Sequence, residues 1–128
     1  MTRKILFATA LLLAGCANSD PAKIVFAAKT ALDGAALVAT HYAEDLPRCS
    51  PTQAPPCSDQ AIIDKANAAA QAALPVMNQA ESYVRQMQAA ATNPLAKAPP
   101  AETVQAAALL ARAAVDEFTA IVATMKGK

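Results

Sequence analysis

Residues 102–126 read "ETVQAAALLARAAVDEFTAIVATMK". Within this stretch Val104, Ala108, Ala111, Val115, Phe118, Val122 and Met125 recur at alternating steps of four and three. That rhythm places all seven on one side of an α-helix, in a heptad-like seam. Arg112, Asp116 and Glu117 fall off the stripe. A single amphipathic helix cannot bury its own apolar side, so the seam requires at least one partner of the same kind. Leu109, Leu110 and Ile121 lie beside the stripe and widen it, which predicts a second apolar face suited to association.

The neighbouring sequence supplies the partners. The third segment is expected over 100–126, starting near Pro100 and capped by Gly127. Before it, Thr92-Asn93-Pro94 closes a second segment over 58–91, opened by Ser58 or Asp59. Its stripe is Ile62, Ala66, Ala69, Ala73, Val76, Ala80, Tyr83, Met87 and Ala90. Pro75 interrupts the segment, but the stripe keeps phase across it, which predicts one kinked helix rather than two. A first segment over 21–46 has Ser19 or Asp20 as its cap and Pro21 at its first position. Val25, Ala28, Leu32, Ala35, Ala39, Tyr42 and Leu46 form its stripe, and Pro47 stops it. Nothing alternates with the period of a strand. Alanine, the best helix former, dominates all three segments. The expected fold is all-α, an antiparallel three-helix bundle.

Alanine-rich seams let helices approach closely but bury little apolar area per residue. A body of this size needs reinforcement. One source is visible in "LPRCSPTQAPPCSD", residues 46–59, where Cys49 and Cys57 stand in a proline-rich turn with seven residues between them. The pairing predicts a Cys49–Cys57 disulfide if the chain enters an oxidising compartment.

The N-terminus says that it does. Arg3 and Lys4 precede an apolar run, Ile5 to Leu13, followed by Ala14, Gly15 and Cys16. A basic start, a short apolar run and a small-residue cleavage site describe a signal peptide, and the run is too short to span a bilayer. Leu13-Ala14-Gly15-Cys16 resembles the lipobox of bacterial lipoproteins. The resemblance implies cleavage before Cys16, a diacylglycerol on its sulfur and a further acyl chain on the new amino terminus. Two or three chains hold a protein stably, since each buried methylene contributes about 0.8 kcal/mol. Residues 1–15 are then a signal peptide, 16–20 a lipidated tether and 21–128 the bundle domain. So short a tether holds the bundle almost against the membrane. Ala17 follows the cysteine, where an Asp retains enterobacterial lipoproteins in the inner membrane, so the resemblance points to the outer membrane, facing the periplasm.

Cleavage removes Arg3 and Lys4 from the 11 basic residues and leaves nine against ten acidic ones. No basic patch remains to suggest a nucleic acid partner. The expected partners are the membrane, through the lipid, and a protein or a second copy of the chain.

Catalytic chemistry is sparse. His41 is the only histidine, four residues from Asp45. The spacing makes a helix-end contact, favoured by the helix dipole. Asp116 and Glu117 are adjacent and point in different directions. No nucleophile elbow, metalloprotease helix or phosphate-binding glycine loop occurs. The cysteine spacing fits neither zinc, haem nor a thioredoxin-like site. No catalytic residue, metal ligand or cofactor is expected, and an enzyme is not.

The stretch "YAEDLPRCSPTQAPPCSDQAIIDKANAAAQAAL", residues 42–74, resembles small proteins encoded in proteobacterial phages and prophages that have no known activity. That resemblance adds a lysis-associated lipoprotein as an alternative, since outer-membrane spanin subunits are also small, proline-bearing lipoproteins. The C-terminal "MKGK" resembles the end by which murein-linked lipoproteins attach to peptidoglycan. Their bodies, however, are unbroken heptad helices without cysteines or prolines. A third alternative is a small-ligand binder with a cavity between its helices.

Overall fold

The computed structural model describes residues 20–125. The lipobox, Cys16 and the expected cap Gly127 lie outside the described residues. Three helices account for about three quarters of the described residues: α1 (Pro21–Glu44), α2 (Gln60–Thr92) and α3 (Ala101–Val122). Among the described residues the sole β feature is an isolated bridge between Arg48 and Ser58. The fold is an all-α three-helix bundle in which every helix packs on the other two.

Local chemistry sets the helix starts. The Asp20 carboxylate accepts from the Ala22 amide at 2.9 Å, and Pro21 occupies the first turn, where a missing N–H costs nothing. Asp59 does the same for α2, accepting from the Ala61 amide at 2.8 Å. α3 begins after Pro100 without a side-chain cap; Glu102 in its first turn complements the dipole instead.

The ends differ by a few residues from the sequence reading. α1 stops at Glu44 rather than at residue 46, because Pro47 disfavours helical backbone at Leu46. Leu46 nonetheless packs against the core. α2 starts at Gln60 rather than at residue 58, since Ser58 is drawn into the pairing with Arg48. α3 closes at Val122, short of residue 126. Its last turn tightens through Thr124 N–H to Ile121 O at 3.0 Å and Met125 N–H to Val122 O at 2.9 Å. Met125 remains buried past the helix end.

Grooves between neighbouring helices fix their directions. Ala22 and Phe26 of α1 face Arg85 and Gln88 of α2, whereas Ala39 and Ala43 face Ile63 and Ala66. α2 therefore runs antiparallel to α1. Ile24 and Ala28 face Arg112 and Val115 of α3, and the Ala39–Ala43 end meets Phe118 and Met125, so α3 runs alongside α1.

The seven residues of the α3 seam are all buried. In α1, Val25, Ala28, Leu32, Ala35 and Tyr42 are buried, as expected, and Ile24 joins them. α2 corrects the sequence reading. Its buried large residues are Ile63, Met77 and Val84, while Ile62, Val76 and Tyr83 are only partly buried against the core. The two sets are adjacent in sequence and share Ala66, Ala73 and Ala80, so α2 is turned by about one residue from the expected face. As expected, α2 is one helix that continues through Pro75. Pro75 is exposed, and Ala73 and Met77 on either side of it are buried, so tertiary packing offsets the lost backbone bond.

Candidate functional site

The connection from α1 to α2, residues 45–59, is the most elaborately tied segment outside the core. Cys49 and Cys57 form the expected disulfide, with Cα atoms 4.9 Å apart. Beneath it a short pairing carries Ser58 N–H to Pro47 O at 2.8 Å and Cys49 N–H to Ser58 O at 2.9 Å.

Arg48 joins the two helices. One guanidinium nitrogen donates to the Ala43 carbonyl at 2.7 Å, an acceptor left over at the end of α1. The same nitrogen donates to Ser58 Oγ at 2.7 Å, and Nε donates to Gln60 Oε1 at 3.0 Å in the first turn of α2. Ser58 has no solvent exposure, and its hydroxyl lies within 3.2 Å and 3.3 Å of the Leu46 and Pro47 carbonyls. Tyr42, buried on α1, accepts the Asp59 amide on its hydroxyl at 2.7 Å. The cap of α2 is thus held by a core residue of α1.

Above this base the segment "SPTQAPP", residues 50–56, is exposed throughout. It carries three prolines and no charged side chain. Gln53 N–H donates to Ser50 O at 3.1 Å and the Gln53 side chain to Ala54 O at 3.0 Å; the Pro55–Pro56 peptide is cis. The result is a closed, neutral, proline-rich loop on a fixed base. Such a surface offers shape and carbonyl acceptors, and aromatic-lined grooves recognise proline-rich segments of this kind.

His41 and Asp45 make the expected contact at the end of α1, and both are exposed. They lie near the loop base without joining its network. Tyr83, read as a stripe residue, sits half-buried at the α2–α3 groove, its hydroxyl accepting from Gln79 at 3.2 Å. Arg85 pairs with Glu81 at 3.6 Å on the same helix. On the α1–α2 side, Lys29 donates to Asp33 at 2.7 Å; that hydrogen bond raises its ammonium above the ordinary lysine value, with burial opposing. Among the described residues no group of three or more His, Cys, Asp or Glu could hold a metal ion.

Sequence reasoning found the disulfide and the helix caps but not the roles of Arg48, Ser58 and the Tyr42 hydroxyl. Arg48 carried a usable signal, since a basic residue just past a helix end suits its unsatisfied carbonyls. Of the two expected openers of α2, Ser58 and Asp59, it is Asp59 that caps the helix. Among the apolar residues beside the α3 seam, Leu110 is 64% exposed, Leu109 is exposed to a lesser degree, and Ile121 packs partly against the core.

No helix among the described residues is long and apolar enough to cross a membrane. The chain matches no known family model, and comparisons with curated proteins and with solved structures find no significant match.

Proposed function

We propose that this is a lipid-anchored cell-envelope lipoprotein that engages a protein partner and performs no catalysis itself. The observation that carries the anchor is the lipobox Leu13-Ala14-Gly15-Cys16 behind a basic and then apolar N-terminus. What supports the partner role is placement. Cys16 lies four residues before Asp20, at the start of α1, and the disulfide-closed loop lies past its other end. A helix of 24 residues is about 36 Å long, so lipid and loop occupy opposite ends of the bundle. A chain tethered by Cys16 holds the "SPTQAPP" loop away from the lipid, in the periplasm. Ala17 favours the outer over the inner membrane. The exposed Leu109 and Leu110 on α3 give a second copy of the chain a place to dock. Fully buried Ala73, Ala108 and Ala111 at the helix seams weigh against an interior ligand cavity.

The test is mass spectrometry of the mature protein from its native host, beside a Cys16→Ser variant. The wild-type chain should begin at an acylated Cys16 and carry the Cys49–Cys57 bond, and the variant should stay uncleaved. A Cys16→Ser chain that is processed and partitions with membranes normally would end the tethering account.

A further inference from the structure

The second connection, residues 93–100, lies at the opposite end of the bundle from the disulfide. Ala22 sits across from Gln88, and α2 runs on to Thr92, four residues or about 6 Å further along its axis. The loop that follows therefore projects past the start of α1. It does so on the side where the chain leads back to Cys16. Four peptide units span at most about 14 Å, so an acylated Cys16 keeps this end within reach of the lipid.

The loop is built for an apolar surface. Leu95 is 91% exposed, more than any other large apolar side chain among the described residues. Burying backbone donors without partners is what normally keeps a loop out of lipid. Here three of the loop's five N–H groups, Leu95's own among them, are satisfied within the chain. Asn93 N–H donates to Ala89 O at 2.9 Å, Leu95 N–H to Asn93 Oδ1 at 3.0 Å, and Ala96 N–H to Asn93 O at 3.0 Å. Pro94 has no N–H to satisfy, nor do Pro99 and Pro100. Lys97 stands two residues from Leu95, with a charge of the sign that suits headgroup phosphates.

We infer that the 93–100 loop is a second membrane contact, with Leu95 inserted into the lipid surface and Lys97 at the headgroups. This rests on the lipid-anchor reading. The acyl chains set the distance of the protein from the membrane, and Leu95 sets its orientation. Two contacts at one end stand the bundle upright and aim the disulfide-closed loop outward.

The experiment uses the mature, lipidated chain in vesicles of phosphatidylethanolamine and phosphatidylglycerol. Single cysteines replace Leu95, Leu37 or Gln53 and carry an environment-sensitive fluorophore. Leu37 is the matched control, 74% exposed but sixteen residues past the start of α1, toward the disulfide end. With Cys16 acylated and Cys49 bonded to Cys57, only the introduced thiol reacts. Emission from position 95 should shift to the blue and be quenched by spin-labelled lipid. Positions 37 and 53 should stay water-like and be quenched by iodide. If position 95 behaves like the two controls while the chain stays on the vesicles, the second contact is refuted and the anchor stands. The same holds if position 95 becomes shielded only when periplasmic protein is added. If the wild-type chain itself takes up the label at Cys16 and leaves the vesicles, the anchor reading fails instead.

Discussion

The bundle has two proline-rich interhelix connections of opposite wiring. Both join alanine-rich helices. The first is closed by a disulfide, bolted by Arg48 to both helices and sealed by Ser58 and Tyr42. The second is held by Asn93 at one side and by the turn into α3 at the other, where Thr103 N–H and Val104 N–H reach Pro100 O at 3.0 and 3.2 Å. Proline content therefore sets neither rigidity nor role. What differs is the number of long-range ties to the core. The tied connection can hold a defined shape far from any support. The untied one displays an apolar tip, as a segment that rests on another surface can.

The contrast breaks most sharply at the disulfide. Replacing both Cys49 and Cys57 by serine frees a short loop in the unfolded chain and should cost about 2–3 kcal/mol of stability. Urea unfolding of the oxidised and the variant chain measures it. A loss below about 0.5 kcal/mol would mean that Arg48 and the Ser58 pairing hold the connection alone. Ser58→Ala comes next. It leaves the Arg48 donor short of one partner at a fully buried position and should cost about 1–2 kcal/mol by the same measurement. The smallest effect belongs to the other connection. Leu95→Ser should change stability by no more than about 0.5 kcal/mol, because the side chain touches little in the fold. A larger loss would place Leu95 among the packing residues rather than at a contact surface.

Much of this contrast was legible in the residues. Cys49 and Cys57, both helix caps and all seven α3 seam residues could be read directly. So could the small-residue character of the interfaces. The wiring beneath the disulfide could not, because Arg48, Ser58 and Tyr42 act across 10, 12 and 17 residues of sequence. Spacing rules reach one or two helical turns and do not see such contacts. The outward display of Leu95 was equally hidden, since a lone leucine in a loop reads the same whether it tucks inward or points out.

The helix α2 marks the boundary between the two kinds of information. Sequence alone determined that it is one amphipathic helix with a heptad-like rhythm, because Ala66, Ala73 and Ala80 recur every seven residues. It did not determine which way the helix faces. Ile62 and Ile63, Val76 and Met77, and Tyr83 and Val84 are adjacent apolar pairs. Either member of each pair completes an apolar seam through the same alanines. The tertiary structure chose Ile63, Met77 and Val84, because α2 must meet α1 and α3 at once and only one rotation buries the shared seam between them. Periodicity is a property of one helix, whereas orientation is a property of the three packed together.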